Sequence, residues 1–428
     1  MERFTGMFGV VLILGLAFAL SNNRKQINYR LVLSGLLLQA TLAVFILKVP
    51  VGQQLFGALG AGVSKLLDYS DKGAEFVFGI LVNKATLEQI FGNGGSFIFA
   101  LKVTPTIIFV SVLVSIAYHI GLMQRVVSVV ARGVYYVMGV SGAEALSNVA
   151  SAFVGQVEAQ IMIKPYVPGM TMSELLASMS GSMACIAGGV MAVYISMGVP
   201  APYLIAASLM AAPAALVIAK IVYPETEQSE TKGNVTLEIK KTNANLVDAI
   251  AHGASDGMKV SINVIAMLLG FIALIAMLDA ALGALGGALS GTFGWSWAGV
   301  GVNLATLSLK DLLGLVFSGF AYAMGVPAQD IQRVGSLLGT KFVINEFVAY
   351  TDLSRLLAQG ILTPKAVTIA SFALCGFANL SSIAIQIGGI GELAPTRRSD
   401  LATLGVRALI CGTLASYLSA TIAGMLIG

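Results

Sequence analysis

The sequence predicts an all-α integral membrane protein with about eight transmembrane helices, two re-entrant helical hairpins in inverted-topology repeats, and helices broken at the midplane. Three observations carry that expectation. Of 428 residues, 57% are hydrophobic and 11% charged, with a mean hydropathy of +0.87, whereas soluble chains carry roughly 25% charge. The apolar runs approach the roughly 20 residues a helical span needs, and do not resemble the roughly 10-residue alternating strands of an outer-membrane barrel. Two further apolar stretches are interrupted at their centres by polar residues and glycine.

Met7 to Leu20, followed by Ser21-Asn22-Asn23, could be a signal peptide cleaved after Ala17-Phe18-Ala19. Glu2 sits beside Arg3, however, and the basic residues Arg24, Lys25 and Arg30 follow the apolar run, as in a first span running from outside to inside. Spans are expected near 6–21, 31–48, 97–120, 171–198, 200–222, 258–284, 366–389 and 404–427. An outside N-terminus then places Arg24/Lys25/Arg30, Arg125/Arg132, Lys164, Lys240/Lys241 and Arg397/Arg398 on the cytoplasmic side, with both termini outside. The basic residues therefore mark topology in a bilayer and not a nucleic-acid surface. Cys185, Cys375 and Cys411 lie in apolar segments without metal-ligand spacing, so neither a disulfide framework nor a metal centre is expected, and no cofactor.

Those orientations hold only if 142–168 and 333–357 each enter and leave by one face. Both are read as re-entrant hairpins, with centres at Phe153-Val154-Gly155-Gln156-Val157-Glu158 and Phe342-Val343-Ile344-Asn345-Glu346-Phe347. Non-helical backbone at membrane depth is tolerated only in protein or beside a watery cavity, so the tips should meet in a site. A carboxylate there needs a partner or a task; the plainer reading pairs Glu158 and Glu346 with buried Lys or Arg. Each hairpin precedes a span broken in its middle, at Cys185-Ile186-Ala187-Gly188-Gly189 and at Gly376-Phe377-Ala378-Asn379-Leu380-Ser381-Ser382. The two units have opposite topology, as in secondary transporters with a midplane site. Glycine pairs alone could equally be helix-packing positions.

The expected organisation is 1–96, N-terminal spans and an interfacial helix (Leu55 to Leu67); 97–223, a first repeat with hairpin 142–168 and broken span 171–198; 224–247, a cytoplasmic linker; 248–308, a scaffold span and outer segment; and 309–428, a second repeat with hairpin 333–357, broken span 366–389 and last span 404–427. Leu309 to Met324 is read as an interfacial or packing helix. Lys259 should pair with Asp256 or snorkel, Lys102 should snorkel, and Trp295 and Trp297 should sit in the outer interface belt.

Gly155-Gln156-Val157-Glu158-Ala159, Ile186-Ala187-Gly188-Gly189-Val190, Asn345-Glu346-Phe347-Val348-Ala349-Tyr350 and Cys375-Gly376-Phe377-Ala378-Asn379-Leu380-Ser381-Ser382 resemble the signature segments of the concentrative nucleoside transporter family. With Met210-Ala211-Ala212-Pro213 the similarity covers nearly the whole chain. The resemblance implies a homotrimer in the bacterial inner membrane, each protomer with its own site between a scaffold and an elevator-type transport domain. It implies cation-coupled import of nucleosides such as uridine. By the same resemblance, nucleobase contacts fall on Gln156, Val157, Glu158, Val190, Val260 and Phe377, and ribose contacts on Glu346, Asn379 and Ser382. The chemistry fits: a carboxylate, an amide and a hydroxyl suit adjacent ribose hydroxyls. Val157 departs from the usual Thr.

The family's sodium positions fall on Ser151, Val154, Cys185 and Ile186, the last three by thiol or main chain. Sodium-coupled members typically carry Asn and Ser where this chain has Ser151 and Cys185, and a thiol poorly suits a hard cation. Proton coupling, with Glu346 or Glu158 as carrier, is therefore expected; a weak sodium site at these four residues is the alternative. An ion channel is disfavoured by isolated carboxylates in place of a continuous polar lining, and an intramembrane enzyme by the lack of a catalytic dyad on one helix face.

Overall fold

The computed structural model describes residues 2–91, 98–231, 243–293 and 303–427. Helix α1 (Glu2–Ala19) and helix α2 (Tyr29–Leu47) are the first two apolar helices. Asn28 caps α2 by accepting from the Leu31 amide at 3.2 Å. Helix α3 (Pro50–Phe78) starts at a proline, whose missing N–H costs nothing in a first turn, and stops at Gly79 with φ +59°. It extends well past Leu55 to Leu67 on both sides, because its polar residues keep the helical period and no proline interrupts them. Helix α4 (Lys84–Phe91) follows.

Helix α5 (Phe99–His119) carries Lys102. Helix α3 runs alongside, and Lys102 Nζ pairs with Asp71 at 2.6 Å. Helix α6 (Leu122–Met138), bounded by left-handed Gly121 and Gly139, is an element the span count passed over. It buries Val127, Ala131, Val134 and Met138 on one stripe while Arg125 and Arg132 point out, the pattern of a helix lying on a surface.

The first hairpin consists of α7 (Gly142–Ser151), a loop, and the single turn α8 (Glu158–Ile161). Ser141 and Glu144 form a capping box on α7, and Thr171 with Glu174 does the same for α9 (Met172–Ala184). After the break at Cys185 to Ala187 comes α10 (Gly188–Ser196), then α11 (Ala201–Val222). The start of the expected linker is docked on the hairpin base: Glu225 accepts from Thr171 Oγ1 at 2.8 Å, and Thr231 Oγ1 donates to Glu174 at 2.9 Å. Lys232, Glu238, Lys240 and Lys241 of that linker, and Trp295 and Trp297, lie outside the described residues.

Helix α12 (Leu246–Phe293) has 48 residues, so the expected span 258–284 is only its middle. It contains glycines but no proline, and proline alone removes an intrahelical donor. At 1.5 Å per residue it is about 72 Å long, more than twice a hydrocarbon core of roughly 30 Å. Lys259 pairs with Asp256 on it at 3.1 Å.

The second repeat restates the order of the first. Helix α13 (Leu309–Ala323) precedes the hairpin α14 (Ile331–Val343) and α15 (Glu346–Ala358). The broken span is α16 (Pro364–Leu374) and α17 (Leu380–Leu393), and α18 (Arg398–Ile427) ends the described chain. Six described helical segments are long and apolar enough to cross a membrane. Helices α11 and α18 form the buried centre, packed on each other and on α9 and α16, whereas α5 and α12 pack against one another with few fully buried residues.

Candidate functional site

The two breaks meet at Gly376. Its φ of +125° is left-handed territory that side chains avoid, and an added Cβ would lie 2.5 Å from the Ala184 carbonyl oxygen at the end of α9. The first hairpin reaches the same place: the Gly188 amide, opening α10, donates to Phe153 O at 3.1 Å. Hairpin tips and helix breaks of both repeats therefore converge.

Glu346 is the first residue of α15. Asn345 caps that helix, its Oδ1 accepting from the Val348 amide at 2.9 Å, which turns Glu346 inward. Glu346 is buried, and side chains of other elements donate to it: Tyr194 Oη of α10 to Oε1 at 3.3 Å and Asn379 Nδ2 to Oε2 at 3.1 Å. No Lys or Arg lies within ion-pair distance among the described residues, so the plainer pairing does not hold for Glu346. Asn379 is oriented by its own cap duty on α17, its Oδ1 accepting from the Ser382 amide at 2.9 Å and Ser381 Oγ at 2.7 Å. Ser382 is buried beside it, and Phe377 is half-buried in the break.

The first-repeat residues are less enclosed. Gln156 and Val157 are half-buried; Gln156 Oε1 is buried and accepts no hydrogen bond from a described residue. The Val157 methyls face Gly389, where an added Cβ would come within 2.7 Å of them, so the hairpin tip leans on α17. Val190 is half-buried on α10. Glu158 is exposed and folds back over Gly155, and no Lys or Arg pairs with it among the described residues, so the plainer pairing does not hold there either. Ala159 and Gln160 of the same turn are buried, so Glu158 occupies its outward face. Val260 is 40% exposed on α12. Two helical turns along, Met267 Sδ accepts from Asn345 Nδ2 at 3.7 Å, so that face of α12 borders the second hairpin tip.

Ser151, Val154, Cys185 and Ile186 are all buried. Ser151 Oγ donates to Ser147 O at 2.8 Å and lies 3.0 Å from Ser182 Oγ. Gln160 Nε2 donates to Ser147 Oγ and Ser182 Oγ at 2.9 and 2.7 Å, and Ser178 Oγ donates to Gln160 Oε1 at 2.6 Å. Since each hydroxyl has one proton, Ser147 must donate to Ser178, and Ser182 to Ser151. Every donor is used, and Ser151 Oγ keeps one lone pair. Cys185 Sγ lies 4.0 Å from Asn148 O. The carbonyls of Val154 and Ile186 accept no hydrogen bond from a described residue.

The model for the "Na+ dependent nucleoside transporter C-terminus" matches residues 203–424, its N-terminal counterpart residues 8–81, and a "Nucleoside recognition" model residues 100–201. An uncharacterized transporter of Haemophilus influenzae is 44% identical over 432 residues, covering 100% of this chain and 99% of its own. The nucleoside permease NupC of Helicobacter pylori is 38% identical over 431 residues, covering 99% of each chain. The chain belongs to the concentrative nucleoside transporter family. The sodium/nucleoside cotransporter 1 of Rattus norvegicus is 37% identical, and 99% of this chain covers 64% of it. Among solved structures, CNTnw in an inward-facing substrate-bound state superposes with a TM-score of 0.92 at 41% identity, covering 100% of this chain and 98% of that one. A doubly substituted CNTnw in an outward-facing state gives 0.91 at 42% identity, with the same coverage. Like its relatives, this concentrative nucleoside transporter is a membrane transporter and not an enzyme.

Sequence reasoning missed Tyr194. It is fully buried, stacked on Tyr350 with centroids 4.1 Å apart and edge-on to Phe347 at 5.5 Å, while Tyr350 Oη is anchored on Ser371 O at 2.8 Å. One aromatic in an apolar half-helix reads as packing; only its hydroxyl, which must find a partner when buried, could have pointed to Glu346. Lys341 was also passed over, although an ionisable residue in an intramembrane segment is a functional candidate by default.

Proposed function

We propose that this transporter imports nucleosides across the bacterial inner membrane by proton symport. The ribose hydroxyls bind Glu346, Asn379 and Ser382, and the nucleobase lies among Gln156, Val157, Glu158, Val190, Phe377 and, from the scaffold side, Val260. The observation that carries this reading is the joined pair Glu346–Asn379, which brings a hairpin tip and a helix break of one repeat to a single polar point. A carboxylate held by an amide and a phenol has acceptor capacity left for two hydroxyl donors. Gln156 Oε1, an acceptor without a donor among the described residues, suits a base N–H. The protomer works within a homotrimer, its transport domain moving elevator-fashion against α5 and α12, with both termini outside.

Proton coupling is supported by the thiol of Cys185 where a hard cation needs oxygen. Sodium coupling is the second reading. It is favoured by the carbonyls of Val154 and Ile186, which accept from no described residue, and by the sodium dependence named for the family model and the rat relative. Uptake of labelled uridine into membrane vesicles tests the transport reading itself: saturable, ionophore-sensitive accumulation supports it, and non-saturable entry equal to control vesicles refutes it.

A further inference from the structure

Lys341 lies in α14, five residues before Glu346, and is 1% exposed. No carboxylate lies within 4 Å of it among the described residues. Its Nζ donates to Ala373 O at 2.9 Å, Cys375 O at 3.5 Å and Ser416 Oγ at 3.4 Å. Ser416 Oγ in turn donates to Cys375 O at 2.9 Å. The first two acceptors are main-chain carbonyls at the end of α16, where the helix stops and its last C=O groups have no intrahelical donor. That end also carries the negative pole of the half-helix, so a cation there is favoured twice.

The first repeat has the same parts in the same order, with a different filling. Its hairpin arm α7 presents the hydroxyls Ser147 and Ser151 to α9, and the carbonyls of Val154 and Ile186, at the tip and the break, accept no hydrogen bond from a described residue. Unwound carbonyls and half-helix ends of this kind are where transporters seat coupling cations. One repeat thus has its break carbonyls taken by an ammonium, whereas in the other the Ile186 carbonyl accepts from no described residue.

We propose that the Lys341 ammonium is a tethered cation that holds the second break in shape, so that Asn379 and Ser382 are presented to the nucleoside. Lys341 is a positioning residue in this account. The assignment rests on the nucleoside reading above for its consequence, and on the carbonyl geometry for the ammonium itself.

The test uses the full chain in lipid nanodiscs. Lys341→Ala should melt lower than wild type and bind uridine at least tenfold more weakly. Ethylammonium, a small cation with N–H donors, should raise the melting temperature and recover most of the affinity, whereas tetramethylammonium, which has no donor, should do neither. Uridine affinity within threefold of wild type in Lys341→Ala, or lost affinity and stability that ethylammonium leaves unmoved, overturns the proposal. Should Lys341→Ala not fold, Lys341→Gln supplies two neutral N–H donors: at least tenfold weaker uridine binding supports the need for charge, and wild-type affinity overturns it. The melting response to ethylammonium is read without nucleoside, so a wild-type protein that fails to bind uridine would refute the nucleoside reading alone.

Discussion

Asn379 Nδ2 and Glu346 Oε2 lie 3.1 Å apart, joining the first residue of one helix to the cap of another 33 positions later. Asn379 cannot rotate away without leaving the α17 amide of Ser382 unsatisfied, so its amide nitrogen is fixed toward the carboxylate. Glu346 is held in turn from the opposite repeat by Tyr194.

Glu346→Gln should therefore leave the protein inserted and folded while severely cutting nucleoside binding. A hydrogen bond to a charged group is worth roughly 1.5 to 3 kcal/mol, or about tenfold to over a hundredfold in affinity. Isothermal titration with uridine checks this, and an affinity within threefold of wild type removes Glu346 from the site.

Tyr194→Phe keeps the stack on Tyr350 and deletes only the donor to Glu346. Because the bond is long at 3.3 Å, the loss should sit near the lower end of that range, about tenfold in affinity, with the melting temperature nearly unchanged. A large fall in melting temperature without a change in affinity would make Tyr194 a packing residue only.

The two repeats were legible in the sequence because their signals are breaks: Gly376 has to be glycine for both its φ and its approach to Ala184 O, and Glu346 is costly at depth. Tyr194 was hidden because periodicity gives burial and not the partner of a hydroxyl. Helix α6 was hidden because Arg125 and Arg132 look like loop charge until Val127, Ala131 and Val134 are seen to share a face. The start of α12 escaped hydropathy because Asp248, His252, Asp256 and Lys259 break the apolar run there.

Gly376→Ala should destabilise the fold as well as the site. The left-handed backbone costs roughly 1 to 3 kcal/mol for a residue with a side chain, and the Ala184 carbonyl would have to move. Thermal melting in detergent should fall by several degrees, with nucleoside binding lost in step; an unchanged melt and unchanged binding would show that the two breaks do not need their contact.

A 2′,3′-dideoxynucleoside should compete far more weakly than its parent, and free uracil hardly at all. A site whose buried groups expect hydroxyls leaves them unpaired when the hydroxyls are missing. Equal competition by uracil and uridine would contradict the ribose role of Glu346, Asn379 and Ser382.

The central claim is proton-driven nucleoside import, and accumulation of labelled uridine in proteoliposomes under imposed gradients measures it most directly. With acid outside and no sodium, uridine should accumulate above equilibrium, a protonophore should abolish the accumulation, and adding sodium should change little. Accumulation driven by an inward sodium gradient at constant pH, and lost when choline replaces sodium, would contradict proton coupling and return Ser151, Val154, Cys185 and Ile186 to the role of a sodium site.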